Sequence, residues 1–305
     1  MKNYDMVYDV AIIGNGIEAA SAAAHCSRSN LKTVLINLPE IQGDDLENLK
    51  LIHRLTQQAR ESGTKIVQCS VHSVWCKHFP KIIYTEEGSI MCKCIILAMG
   101  VSPAKLGVPM ESYFHGCGLH YSASFASSYL KGRTSLIYGK DDVASDQAIT
   151  LSLLCKQVYL VYSSGNLLCS KEKIDVLKNS PNVIMLPHTL VYSIEQRNKK
   201  IVGASVLDKT TGNIGVLDCD VIYVSKGVEP NSKLCFPYIL TDRNGFIVTD
   251  STHKTNVEGV YAAGEIRSTV LDENPGSCCS KNAIMAATDG AIAATNAVRY
   301  ICSLE

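Results

Sequence analysis

Two adjacent thiols, Cys278 and Cys279, and one glycine turn, Gly14-Asn-Gly16-Ile-Glu-Ala19, have the residue types and spacing to do chemistry. Adjacent cysteines can close a strained, easily reduced eight-membered disulfide ring. They precede a helix-like stretch at 281–301, where a dipole and Lys281 would lower a thiol pKa. The plainer alternative is two loop cysteines with no redox role. The glycine turn fits G-x-G-x-x-A: Gly14 makes the tight turn, Gly16 admits backbone to a pyrophosphate, and Ala19 lets helix and strand pack closely. A strand–helix turn without ligand is the competing reading. Glu18 is discordant, because an anion in the first helical turn suits the dipole but not a phosphate beside it. His120 could exchange protons near neutral pH or simply pack at a domain junction.

The elements that must position these residues alternate. Short Val/Ile-rich strands are predicted at 9–13, 33–37, 94–98, 134–138, 157–161 and 220–225, with helices at 17–29, 45–62, 142–155 and 281–301. This alternation predicts parallel sheets with helices on their faces. Residues 9–37 and 134–161 form a weak internal repeat of strand, glycine turn, helix and strand. The expected class is therefore α/β, with two Rossmann-like, three-layer dinucleotide-binding domains. The second, at 116–238, is inserted in a first made of 1–115 and 239–305, with Gly116-Cys-Gly118 and Pro237 as punctuation.

The 305 residues are 46% hydrophobic, which suffices for two ordinary cores. Balanced charge, 29 basic against 29 acidic residues, argues against a nucleic-acid footprint. No apolar run reaches the roughly 18 residues of a membrane span. The N-terminus runs into a strand without a signal-like segment, so a cytoplasmic protein is expected. The thirteen cysteines are scattered, and Cys94, Cys155 and Cys219 lie in or beside apolar runs, as reduced core thiols do. None has zinc-site spacing, so no metal is expected.

Five segments in order carry a resemblance: Gly14-Asn-Gly16-Ile-Glu-Ala19; Ile95-Ile-Leu-Ala98-Met-Gly100-Val-Ser-Pro103; Val224-Ser-Lys-Gly227-Val-Glu-Pro230-Asn231; Asn244-Gly-Phe-Ile-Val; and Gly259-Val-Tyr-Ala-Ala-Gly264-Glu265. Over nearly its whole length the chain resembles the thioredoxin reductase-like FAD-dependent pyridine nucleotide-disulfide oxidoreductases. The resemblance implies an FAD site at Gly14, Gly16, Ala19, Gly100, Gly264, Glu265, Asn282 and Ala283. Glu265 would take the ribityl chain, and the helix from Asn282-Ala283 would face the flavin. It also implies a homodimer.

Three departures limit what it implies. Ser122 and Phe125 stand where the family's Cys-x-x-Cys should be, in wording closer to the thioredoxin-reductase-like ferredoxin–NADP reductases, and the chain contains no Cys-x-x-Cys. The second glycine turn reads Gly139-Lys-Asp141-Asp142-Val-Ala144, and Tyr162-Ser-Ser-Gly165 replaces the basic stretch that pairs with the NADPH 2′-phosphate. A carboxylate about 5 Å from a phosphate costs on the order of 1 kcal/mol even when solvated, so NADPH is not expected in the usual mode. The chain at 38–45 omits the loop along the flavin, and Asn37 or Glu40 is left as a ribose-bonding candidate. The expectation is an FAD-binding oxidoreductase without the redox disulfide, reduced by another donor such as a protein partner. The alternative is a catalytically degenerate relative with a regulatory or binding role.

Overall fold

In a computed structural model, the structure describes residues 6–37, 46–121, 127–269 and 282–304. Val7–Ile13 (β1) leads through the first glycine turn into Ile17–Arg28 (α1), Thr33–Asn37 (β2), Leu46–Glu61 (α2) and Lys65–Gln68 (β3). Val71–Trp75 (β4), Lys81–Thr85 (β5) and Gly88–Leu97 (β6) follow as an antiparallel meander, and Val101–Pro103 (β7) leaves it. The second unit holds Glu111–Phe114 (α3), Leu119–His120 (β8), Ser127–Leu130 (α4), Thr134–Gly139 (β9), Asp142–Ser152 (α5), Gln157–Val161 (β10), Lys171–Asn179 (α6) and Val183–Leu186 (β11). It continues with Thr189–Arg197 (β12), Lys200–Asp208 (β13), Ile214–Asp218 (β14) and Val221–Ser225 (β15), and Val228–Pro230 (β16) leads out. The chain ends with Ile247–Thr249 (β17), Val260–Ala262 (β18), Arg267–Thr269 (β19) and Ala283–Cys302 (α7).

The first unit is Met1–Ser102 with Glu229–Glu305, and the second is Pro103–Val228. The expected inserted domain, 116–238, differs at both boundaries because the chain crosses on extended segments at β7 and β16, not at Gly116-Cys-Gly118 and Pro237.

In the first unit the sheet runs β3-β2-β1-β6-β5-β4, with β18 also on β6. The long β6 joins two kinds of pairing: its start is antiparallel to β5, and its end is parallel to β1 and β18. Alternate residues of β1 go to opposite faces, as the two-residue strand period demands. Val10 and Ile12 meet α1 and α7, while Ala11 and Ile13 meet Val74, Ile83 and Ile90 of the meander. Helices α1 and α7 therefore cover one face and the meander strands the other, which completes the expected three layers. The strands β4 and β5 were missed because two five-residue strands with polar alternation carry little period of their own. Small residues let α1 and α7 approach closely: Ala19, Ala22 and Ala23 pack against Ala293, Ala294 and Ala297.

The second unit repeats the plan. Its parallel sheet is β11-β10-β9-β15-β8, with α5 and α6 against Ile137, Val158 and Leu160. The separate antiparallel sheet β12-β13-β14 packs Val191, Ile201 and Val206 against Leu136, Val161 and Ile222. Among the described residues no helix is long and apolar enough to cross a membrane, and every described cysteine is free.

Candidate functional site

The first glycine turn forms as its spacing predicts. Gly14 has φ +149°, and a Cβ there would lie 1.9 Å from the Ala98 carbonyl oxygen, so only glycine fits between β1 and β6. Gly16 caps α1 with extended backbone and no side-chain bond, which leaves the first helical N–H groups for another acceptor. That acceptor is Glu18. A Cβ at Gly16 would be 2.7 Å from both Glu18 carboxylate oxygens, one at Gly264 would be 3.0 Å from its Oε1, and one at Gly100 3.8 Å. The carboxylate thus sits among the three glycines that came together as candidate binding residues, and it accepts from its own backbone N–H. Burial pushes its pKa up to about 7; the self-bond pulls the other way, and the carboxylates of Glu265 and Asp289 add to the rise.

The Gly100 and Gly264 turns are each held by a polar clamp. Asn231 donates from Nδ2 to the Met99 carbonyl (2.9 Å) and from its backbone to the Gly100 carbonyl (3.1 Å), and its Oδ1 accepts from Ser102 Oγ (2.9 Å). Gly264, at φ +80°, donates its N–H to Asp289 Oδ2 at 3.2 Å. Arg267 binds the same carboxylate twice, Nε to Oδ2 and Nη2 to Oδ1, both at 2.9 Å. Both partners are buried, at 7% and 4% exposure. Buried His253 lies 3.8 Å from Asp289 Oδ1. Burial and the neighbouring Arg267 cation hold its pKa below the usual histidine value, against the pull of Asp289. Gly290 lets α7 rest on α1, since a Cβ there would be 2.2 Å from the Glu18 carbonyl oxygen. Asp289 and Arg267 were missed by sequence reasoning. The available signal was a lone carboxylate among the twenty residues of α7.

Other candidates fall differently. Glu265 is partly buried beside this cluster, and Ala19 is buried at the α1–strand contact. Asn282 caps α7, its Oδ1 accepting from Ile284 N at 2.9 Å, so one N–H at the helix start expected to face a ligand is already bonded; Ala283 opens the helix. His120 stacks on Tyr223 at 5.5 Å and sits opposite it in the β8–β15 pair, as a packed histidine would. Tyr121 donates to Glu111 Oε1 at 2.7 Å, and Glu111 also accepts from Leu106 N and Gly107 N. Cys278, Cys279, Lys281, Ser122, Phe125 and Glu40 lie outside the described residues.

The second glycine turn, in the second unit, carries its own carboxylate. Gly139 is required, because a Cβ would be 2.2 Å from the Ser225 carbonyl oxygen. Asp141 is the N-cap of α5, with Oδ1 accepting from Ala144 N at 2.9 Å. Its side chain thus bonds an N–H at the helix end where a phosphate would bind. Asp142 and Asp146 are bridged by Lys173 Nζ at 2.7 and 2.8 Å. The Tyr162–Gly165 loop is approached by a cation from elsewhere: Lys209 Nζ donates to the Ser163 carbonyl at 3.3 Å. Asp141→Ala is expected to lower stability by about 1 kcal/mol through the lost cap, read as a shift in the urea midpoint.

This fold with paired glycine turns defines a two-domain dinucleotide-binding oxidoreductase. The pyridine nucleotide-disulphide oxidoreductase family model matches residues 8–292, and the chain belongs to that family. It is 28% identical to a thioredoxin reductase of Treponema pallidum (strain Nichols), covering 98% of both chains, and 29% identical to one of Peptoclostridium acidaminophilum, covering 97% of both. Among solved structures it resembles Lactococcus lactis thioredoxin reductase in its FR conformation (TM-score 0.71, 23% identity, 97% and 99% covered) and that of T. acidophilum (TM-score 0.67, 25% identity, 98% and 99% covered).

The family implies FAD as cofactor. The backbone of the first turn suits its diphosphate: a glycine cradle at a helix N-terminus, with no side chain on Gly14, Gly16, Gly100 or Gly264 to obstruct it. Glu18 sets a condition on that fit. Its carboxylate fills the cradle and must turn away or be neutral when a diphosphate enters.

Proposed function

We propose that this chain is a flavoprotein of thioredoxin reductase-like fold that does not run the NADPH-to-disulfide relay of its relatives. The observation that carries the reading is Asp141, whose carboxylate bonds the α5 N-terminus in place of a phosphate. The absence of any Cys-x-x-Cys in the chain agrees with it. Gly14, Gly16 and Ala19 would hold the FAD diphosphate at α1, Gly100 and Gly264 would leave room for it, and Glu265, Asn282 and Ala283 would meet the ribityl and flavin end. FAD, when bound, supplies two-electron redox chemistry. The chain's own groups orient it: Arg267 and Asp289 hold the Gly264 turn rigid, and Asn231 holds the turn at Gly100. Electrons would come from another donor, such as a reduced protein partner. Unpaired described thiols suit a reducing, cytoplasmic setting, and a homodimer is proposed from the likeness to thioredoxin reductases.

Anaerobic mixing of flavin-loaded protein with NADPH tests this. The flavin spectrum is expected to stay oxidised with NADPH and to bleach with dithionite; rapid bleaching by NADPH overturns the reading. The second reading, a catalytically degenerate relative with a regulatory or binding role, is favoured by Glu18 in the cradle. A protein that stays colourless with excess FAD even at pH 6 would select it.

A further inference from the structure

Lys81 opens β5 on the strand face that packs into the core with Ile83, and its side chain is 4% exposed. Among the described residues its ammonium has no hydrogen-bond or ion-pair partner, and its nitrogen keeps contact with solvent instead of being sealed in the core. Long lysine stems commonly bury while the head finds water. Here the residue lines a cavity of about 440 Å³ in the first unit. The lining also includes the 256–258 turn and Tyr300 near the end of α7. The turn is shaped for that ring: Gly259 has φ +67°, and a Cβ there would lie 2.5 Å from the Tyr300 ring.

The lining has a definite chemistry. Lys77 and His78 join Lys81 in the lining, while Phe79, Val257 and Tyr300 offer apolar surface. Among the described residues Glu258 is the one carboxylate in the lining. An anion entering would meet Lys81 in a partly desolvated setting, where a charge-assisted bond is strongest. A dianion would also meet Glu258. An apolar body would cover Val257 and Tyr300.

We propose that this cavity is a binding site for a small organic monocarboxylate, its carboxylate on Lys81 and its apolar body against Val257, Phe79 and Tyr300. The site is separate from the glycine cradle and does not depend on flavin. The volume lies within the range of small-molecule pockets.

The chain's single tryptophan reports on it. Trp75 ends β4, and its ring is 5.6 Å from that of His78. Titration of the full chain with cyclohexanecarboxylate, which does not absorb where tryptophan does, is expected to give a saturable fluorescence change. Lys81→Met should weaken it by at least about tenfold, since the charge-assisted bond to the carboxylate is lost. The same variant should melt within a few degrees of the parent, because methionine keeps the packing of the buried lysine stem. Glu258→Gln, on the exposed turn, should keep carboxylate binding and admit inorganic phosphate, and this arm stands even if Lys81→Met fails to fold. No saturable change, equal binding of cyclohexanecarboxamide, or equal binding of inorganic phosphate by the parent chain would each overturn the proposal.

Discussion

Glu18→Ala is expected to tighten FAD binding by about tenfold at pH 8 and to flatten its pH dependence. In the parent chain the Glu18 carboxylate lies among Gly16, Gly100 and Gly264, where the diphosphate would sit. Burial raises its pKa to about 7, and Glu265 and Asp289 reinforce the rise. Arg267 is engaged with Asp289 by two hydrogen bonds. Below pH 7 Glu18 is mostly neutral and opposes the ligand little. Each pH unit above 7 adds about 1.4 kcal/mol for taking up the proton that binding requires, until turning the side chain outward becomes cheaper. FAD affinity should therefore fall between pH 7 and pH 8 in the parent and stay level in the variant, as read by titration of flavin fluorescence. A level profile in both proteins would remove Glu18 from the site.

The same residue links stability to pH. Glu18 titrates near 4.5 when unfolded and near 7 when folded, so the folded state holds its proton more tightly. Stability should fall as pH rises from about 4.5 to about 7 and change no further from this group. Glu18→Gln should leave stability unchanged at pH 4.5 and raise it by up to about 3 kcal/mol at pH 8.

The second large effect lies at the buried Arg267–Asp289 pair. Arg267→Met leaves the buried Asp289 carboxylate, among the described residues, with the Gly264 N–H and His253 as its remaining polar neighbours, and a loss of about 3–5 kcal/mol is expected. Asp289→Leu should also lower stability, because it removes both of the Arg267–Asp289 hydrogen bonds and the one from the Gly264 N–H. The double variant Arg267→Met/Asp289→Leu should recover most of the loss seen in Arg267→Met, because the buried Asp289 carboxylate is then gone as well. Urea midpoints of the four proteins measure the coupling. Additive losses in the double variant would mean that the two groups do not act as a pair. FAD binding by the double variant should remain weak even where stability returns, since the Gly264 turn has lost its Asp289 anchor.

Local chemistry made much of this protein legible in its sequence. Gly14, Gly139 and Gly264 occupy positions where a Cβ has no room, and a backbone constraint of that kind shows in residue type alone. The strands at 9–13, 33–37, 134–138 and 157–161 and the helix beginning at 17 were readable because apolar runs and breakers are local signals. The discord of Glu18 and Asp141 with phosphate was visible as charge in the wrong place. Their actual positions were not, because the direction of a side chain depends on what packs around it. The antiparallel strands on the second face of each sheet, the Arg267–Asp289 pair that joins residues 22 apart, and the cavity between Lys81 and Tyr300 arise only when distant segments meet. Sequence determined which backbone turns could form. Tertiary packing decided which charges were buried together, because desolvation and pairing depend on neighbours that no local pattern names.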